Sequence, residues 1–336
     1  MTASSTEDVA WYPVEDRSAP GQVRRAAMAV AERLGFGEHR RSEIGIAATE
    51  LVTNLHNHAV GGTVAVRIRR VSGDAALELV VVDSGPGIAD LRRVMADGHS
   101  TTGTLGVGLG AVRRLTTRCD AHSVLDRGTV IVATFWPTAA PPAAGTVEGI
   151  TRPIDGETVC GDAWAWRTVG DDTVVLLADG LGHGPLAAAA AQKAVAAFAV
   201  TEQHAPEAIL AETDRALAGT RGAAVSVVSI DAGARTVGFA GVGNVTGWID
   251  DGTARRQLVT FPGIVGQNRR KTIRRVDYDL PPEGLVVLHS DGLTGRWSLD
   301  DYPAIRGHDS LVIAASLIRD AGVRHDDASV VVARVA

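Results

Sequence analysis

Residues 178–184 read ADGLGHG: one carboxylate and three glycines between the apolar run Thr173–Ala178 and the helix-like PLAAAAAQKAVAAFAV. Asp-Gly alone is an ordinary turn pair, since glycine accepts positive φ and aspartate bonds its own backbone. The arrangement recurs, however, in LVVLHSDG (Leu285–Gly292) and ELVVVDSGPG (Glu78–Gly87). A strand that ends in a carboxylate, followed by backbone without side chains, suits a ligand. CGD (Cys160–Asp162) and HDDASVVVARV (His325–Val335) add acidic residues at two further strand starts. Asp162, Asp179, Asp291 and Asp326 thus stand at strand ends or starts in the C-terminal half. If they converge, their repulsion costs several kcal/mol unless cations neutralise it. Oxygen-only ligands select Mg²⁺ or Mn²⁺ over zinc. Two such ions about 4 Å apart lower the pKa of a bridging water and hold a phosphoryl group, which is the chemistry of phosphate-ester hydrolysis. Four unrelated turn aspartates would give the same strings, and spacing alone leaves both readings open.

A second constellation lies in the N-terminal half. In ELVTNLHNHA, Glu50, Asn54 and His58 recur every four residues and stack on one helical face. A solvated stripe has that pattern. So does a site in which an asparagine carbonyl holds Mg²⁺ and a carboxylate one turn earlier takes a proton from a hydroxyl. Asp83, at a strand end, can accept a hydrogen bond from an exocyclic amine such as adenine offers, and Gly85 and Gly87 let a flat ring approach the backbone. In STTGTLGVGLGAV, Gly103, Gly106, Gly108 and Gly110 leave amides free just before a helix, a phosphate cradle in principle and a plain flexible turn otherwise. The spacing is neither a Rossmann G-x-G-x-x-G nor a P-loop, which needs Gly-Lys-Ser/Thr.

These residues need two domains to position them. The chain has 336 residues, 45% hydrophobic, enough for two packed cores. The Pro-, Ala- and Gly-rich stretch PTAAPPAAGTVEG (Pro137–Gly149) reads as a linker, giving domains at 1–137 and 150–336 joined by 138–149. Periodicity predicts helices at 20–34, 41–59, 89–97 and 110–119 and strands at 63–71, 76–83, 122–125 and 129–136: an α+β layer with helices on one face of a mixed sheet. The second half reads as strands at 160–168, 173–178, 223–231, 236–242, 246–250, 285–290 and 329–335 with helices at 185–203, 206–218 and 309–321, economically two antiparallel sheets sandwiched by helices. A net charge of −6 argues against a nucleic-acid binder. Two cysteines, Cys119 and Cys160, make neither a zinc spacing nor a disulfide framework. The opening MTASSTEDVAW lacks a signal-peptide pattern and no run of about twenty apolar residues exists, so no membrane is expected and the expected location is cytoplasmic. The one dense basic run, RRKTIRR (Arg269–Arg275), reads as a solvated hairpin or a docking surface for an acidic partner.

In order, Glu50-x-x-x-Asn54-x-x-x-His58, Asp83-x-Gly85-x-Gly87, Gly106-x-Gly108-x-Gly110 and Gly128-Thr129 resemble the GHKL ATPase and histidine-kinase-like fold over roughly residues 15–137. The short lid HSTTGTLGVGLGAVRRL is similar to that of the serine/threonine switch kinases of bacterial partner-switching and stressosome systems. The resemblance implies a GHKL α/β sandwich that binds ATP, with Asp83 on adenine, Thr129 supporting it, Asn54 near Mg²⁺, the glycine lid on the phosphates, and Glu50 as the base that activates a protein hydroxyl. Leu55 stands where the family places a small alanine. Gly161-Asp162, Ala178-Asp179-Gly180-x-Gly182-His183-Gly184, Ser290-Asp291-Gly292 and Asp326-Asp327-x-Ser329 resemble the PP2C-like serine/threonine phosphatases of the bacterial sporulation and stress-response branch, an αββα sandwich, over nearly all of 150–336. That resemblance implies two divalent ions, with Asp162, Asp179 and the Gly180 carbonyl on the metal pair and Asp291 and Asp326 on the second ion. It leaves Mg²⁺ and Mn²⁺ both open. Cys160 replaces a common glycine and Ser329 a common threonine, and neither change removes a ligand. His183 is read as a substrate or supporting contact, or as loop packing.

Together the resemblances imply a bifunctional regulator, a kinase and a phosphatase acting on serine or threonine of STAS-domain antagonist or scaffold proteins. Two alternatives are a phosphatase whose ATP-binding domain senses without transferring, against which Glu50 speaks, and a non-enzymatic anti-sigma-type binder.

Overall fold

The computed structural model describes residues 3–71, 73–96, 108–138, 147–267 and 273–334. From the N-terminus run β1 (Ala3–Pro13), α1 (Ala19–Arg33), α2 (Glu38–His58), β2 (Thr63–Val71), β3 (Asp74–Val82), α3 (Leu91–Val94), α4 (Leu109–Leu115), β4 (Arg118–Val124) and β5 (Gly128–Phe135). Strand order is β1-β2-β3-β5-β4. Alternation sets the faces: Val64, Val66 and Ile68 of β2, Leu77, Leu79 and Val81 of β3 and Ile131, Ala133 and Phe135 of β5 join one core. Val23, Ala27, Val30 and Ala31 of α1 and Ile44, Ala47, Ala48, Leu51, Val52 and Leu55 of α2 complete it. On the other face the fully buried Arg67 lies 3.4 Å from Glu78, its partner in the β2–β3 register, and 3.3 Å from Asp8. This is the α+β layer expected.

The rest of the chain forms β6 (Val147–Arg152), β7 (Asp162–Val169), β8 (Asp172–Gly180), α5 (Pro185–Val200), α6 (Pro206–Ala216), β9 (Ala223–Asp231), β10 (Thr236–Val242), β11 (Thr246–Asp250), β12 (Arg255–Gln257), β13 (Val276–Asp279), β14 (Leu285–His289), α7 (Ser310–Ala321) and β15 (Ala328–Arg334). One sheet is ordered β13-β10-β9-β8-β7 and the other β12-β11-β14-β15-β6. The central strands β8 and β9 of the first sheet are buried on both faces over most of their length and are correspondingly rich in Val, Leu and Ala. Val174, Leu176 and Ala178 of β8 pack with Ile209 and Leu210 of α6 and Phe198 of α5. Val175 and Leu177 face Val286 and Leu288 of β14 and Val331 of β15. Among the described residues no helix is long and apolar enough to cross a membrane.

Some elements differ from expectation. The helix expected to reach Cys119 stops at Leu115, because the Thr117 amide already bonds the Thr134 carbonyl at 2.9 Å and β4 pairs with β5 from Arg118 onward. β1, β6, β12 and β13 were not expected; β6 begins at Val147, inside the proline-rich stretch.

The chain divides into two compact units: Met1–Ser5 with Gly145–Asp300 and Asp320–Ala336, and Thr6–Ala144 with Asp301–Arg319. Within the latter, the 301–309 segment is tied to β4 and the β4–β5 turn. The Asp120 carboxylate accepts from His308 Nδ1 at 2.8 Å and from the Asp309 amide at 2.7 Å. His122 Nε2 donates to the Pro303 carbonyl at 2.9 Å, and Arg118 pairs with Asp309. Burial would raise the Asp120 carboxyl, but His308 and the Asp309 amide outweigh it and hold it low. His122 is held low, chiefly by burial. A lowered carboxyl contributes stability that is present above its unfolded pKa and lost as pH falls; a histidine kept neutral likewise loses its contribution below about 6.5. Acid is therefore expected to release 301–309, read as faster amide hydrogen exchange there. Asp120→Ala should mimic acid at neutral pH, by about 1.5–3 kcal/mol for the lost charged hydrogen bonds. Unchanged exchange in that variant would contradict the tie.

Candidate functional site

The strand registers bring the C-terminal carboxylates together. β7 and β8 are antiparallel with Asp162 directly opposite Asp179, so both side chains share a face at one end of the first sheet. The Gly180 amide donates to the Gly161 carbonyl at 3.1 Å, which closes that end. In the second sheet β14 and β15 are antiparallel, and the Ser290 amide bonds the Ser329 carbonyl at 3.2 Å. Asp291 follows β14 and Asp326 and Asp327 precede β15, again at one end. Gly292 makes this possible: a Cβ there would lie 1.9 Å from the Asp327 carbonyl oxygen.

All four carboxyls feel one another. Asp162, only 4% exposed, is raised by burial, opposed by the Ser290 and Ser329 hydroxyls and reinforced by Asp327 and Asp291. Asp179 is raised further, by burial first, then by the charges of Asp162, Asp291 and Asp326 and a hydrogen bond with Asp291. Burial and Asp291 raise Asp326. Neither Asp162 oxygen nor Asp327 Oδ2 receives a hydrogen bond of full geometry among the described residues, although the Asp327 Oδ1 accepts the Ile154 amide at 2.9 Å. These are buried oxygens aimed where positive charge is missing. Among the described residues no three His, Cys, Asp or Glu side chains already surround a common point as ion ligands. An all-oxygen set of this kind fits Mg²⁺ or Mn²⁺.

Around it, His183 Nδ1 lies 3.3 Å from Glu157 Oε1 at the exposed surface, near enough for its charge to act on Asp326. The Cys160 thiol points to the Arg152 carbonyl at 3.5 Å, and Ser329 is fully buried beneath Asp162. Ser290 and Asp327, quoted in the sequence only as motif members without a role, act on Asp162; Asn244, whose side-chain amide lies 2.5 Å from Asp291 Oδ2, escaped the sequence reading. The basic run falls partly at 268–272, outside the described residues; Arg275 there pairs with Asp277 at 2.6 Å.

In the N-terminal unit, Asp83 is 8% exposed at the end of β3. Its Oδ1 accepts the Gly85 amide at 2.7 Å, and its own amide bonds the Thr129 carbonyl at 3.0 Å. Burial raises its carboxyl despite those bonds. Gly128 is required because a Cβ would stand 1.9 Å from the Asp83 carbonyl oxygen. The Thr129 hydroxyl lies 3.0 Å from Ser123 Oγ, which accepts the Ile88 amide just after Gly87 at 2.7 Å. Glu50 and Asn54 are half-buried on α2 and His58 is exposed in its last turn. Desolvation raises the Glu50 carboxyl. Leu55 does not crowd this face: it is buried in the core against Gly62, where a Cβ would meet Leu55 Cγ at 2.5 Å. Gly103 and Gly106 lie outside the described residues; Gly108 caps α4 and Gly110 is within it.

Comparison with known proteins agrees with both domains. Residues 13–135 match the histidine kinase-like ATPase domain family, and residues 170–336 match the stage II sporulation protein E family. The serine/threonine-protein kinase RsbT of Bacillus subtilis is 39% identical over 114 residues, 34% of this chain and 86% of RsbT. The phosphoserine phosphatase RsbX of the same organism is 26% identical over 159 residues, 46% of this chain and 74% of RsbX. A solved structure described under the bacterial stressosome as a modular system adapted to control secondary messenger signalling aligns with 56% of this chain and 98% of its own, at 32% identity and a TM-score of 0.50. The chain belongs to the histidine kinase-like ATPase family through its N-terminal domain, which is fused to a PP2C-like phosphatase domain of the SpoIIE type.

Crowded carboxyls leave a thermodynamic trace. A carboxyl raised in the folded state binds protons that the unfolded state releases, so its folded unit loses stability as pH climbs out of the ordinary carboxylate range. Without divalent ions, Asp179→Asn is expected to gain stability relative to the unsubstituted protein as pH rises, measured as urea midpoints across a pH series. Saturating Mn²⁺ should stabilise the unsubstituted protein by about 2.7 kcal/mol at a hundred times its Kd. A difference independent of pH would mean the carboxyls do not repel.

Proposed function

We propose that the chain is a two-armed phosphorylation switch. Its N-terminal domain transfers phosphate from ATP to serine or threonine of a partner protein, and its C-terminal domain removes phosphate from such residues. The observation that carries the reading is the meeting of Asp162, Asp179, Asp291 and Asp326 at one end of two facing sheets, with Asp162, Asp179 and Asp326 raised by burial and by neighbouring carboxylates. Bound Mg²⁺ or Mn²⁺ would supply an activated water and neutralise the phosphoryl charge. Asp162 and Asp179, with the Gly180 carbonyl, would hold one ion and Asp291 and Asp326 the other. In the kinase arm Asp83 would accept the adenine amine over Thr129. Asn54 would hold the ATP-bound Mg²⁺, and Gly103, Gly106, Gly108 and Gly110 would cover the phosphates. Glu50 would take the proton from the partner's hydroxyl; a carboxyl raised by desolvation is a better base near neutral pH than an exposed one. That feature favours transfer over pure nucleotide sensing.

The partners in this reading are STAS-domain antagonist or scaffold proteins. The likeness to RsbT, RsbX and a structure described under the bacterial stressosome supports it. Both arms working on one residue would hydrolyse ATP to no effect, so the two act on different residues or in different activating states. Candidate STAS proteins incubated with this chain, labelled ATP and Mn²⁺ provide the test. Glu50→Ala is expected to cut phosphate incorporation about 10²–10⁴-fold while ATP still binds. Asp291→Asn is expected to leave incorporation intact and stop phosphate release. If neither substitution alters the phosphorylation of any candidate, the reading fails.

A further inference from the structure

We propose that Asn244 is a positioning residue of the carboxylate site, fixing the orientation of Asp291 so that it can hold a divalent ion; the inference rests on the phosphatase reading above. Asn244 lies 47 positions from Asp291 in sequence, yet its Nδ2 stands 2.5 Å from Asp291 Oδ2. A carboxylate oxygen only accepts, so the amide nitrogen faces it and donates.

The fold leaves Asn244 little choice of place. It lies in the turn 243–245 that carries the chain from β10 of the first sheet to β11 of the second. At the β10 end, Val242 pairs with Val225 of β9, next to Ala224, which pairs with Asp179. At the β11 start, Thr246 pairs with His289, two residues before Asp291. The turn is therefore held between β9, the strand paired with the one that bears Asp179, and β14, which leads to Asp291. The Gly243 amide bonds the Phe261 carbonyl at 2.9 Å, and the buried Val245 gives its carbonyl to Ser226 Oγ at 3.4 Å.

The chemistry of the side chain suits that place. Asp291 stands between two calls on its carboxyl, the Asn244 amide and a hydrogen bond with Asp179. A donor on Oδ2 restrains rotation of the carboxyl. The Asp291 charge acts on both Asp179 and Asp326, so the restrained carboxyl is one that shares its surroundings with them. A second carboxylate in place of Asn244 would add to the repulsion, and an ammonium would compete with the ion. A neutral donor does neither.

The test is Mn²⁺ binding by the full-length protein, followed by electron paramagnetic resonance and by calorimetry. Asn244→Ala removes the donor, and Asn244→Leu removes it at nearly constant volume. Both are expected to weaken the second, looser binding step about 10–100-fold, as loss of a ligand-supporting hydrogen bond does, and to leave the first step and the melting temperature in EDTA unchanged. Titrations matching the unsubstituted protein would overturn the assignment of Asn244 alone. Loss of both steps together with a lower melting temperature in EDTA would also overturn it, by making Asn244 a residue of the turn. If the unsubstituted protein binds no Mn²⁺, the phosphatase reading falls first and this one with it.

Discussion

Four carboxylates held at one end of two facing sheets repel one another, and the C-terminal unit is organised around tolerating that. Two registers, Asp162 opposite Asp179 and β14 beside β15, decide that they meet. Gly292 lets the second pair of strand ends close. The Ser290 and Ser329 hydroxyls work against the desolvation of Asp162, and the Asn244 amide gives Asp291 a neutral partner. None of these features improves packing. A core of the same shape with apolar residues at those positions would be more stable, which is the usual sign that buried charge serves a ligand.

The N-terminal unit delivers a carboxylate by the same device, a strand ending in aspartate with glycines after it, but toward a different end. Asp83 is alone. Burial raises it, and backbone amides from Gly85 and its own β5 connection bring it partway back. Gly128 allows β5 to start against it, and Thr129 and Ser123 link that start to the loop after Gly87. A single aspartate with a fixed direction suits recognition of a neutral donor group; a crowd of four suits cations. The same unit also takes in Asp301–Arg319, which lies between Asp291 and Asp326 in sequence.

Much of this was legible in the sequence because strand-end Asp-Gly pairs and helical four-residue spacing are local patterns. The strands 223–231, 236–242 and 246–250 match expectation residue for residue. What was not legible depends on pairing. Arg118–Cys119 sit in a helix-like run and become strand because β5 offers a ladder. β1 carries Asp8, whose place near Arg67 only a sheet partner explains. Leu55, which stands where the resemblance places a small alanine, packs into the core because Gly62 leaves room. Asn244 has no signal of its own, since nothing in a turn between two strands announces a carboxylate many residues away. His183 sits in the most motif-rich loop of the chain, yet its ring meets Glu157 at the surface.

The most direct measurement is anomalous scattering at the manganese edge from crystals grown with Mn²⁺. Two peaks about 4 Å apart, enclosed by Asp162, Asp179, Asp291 and Asp326, are what this account predicts. Crystals that diffract well with no peak among those carboxylates, or with the four side chains turned apart, would contradict it.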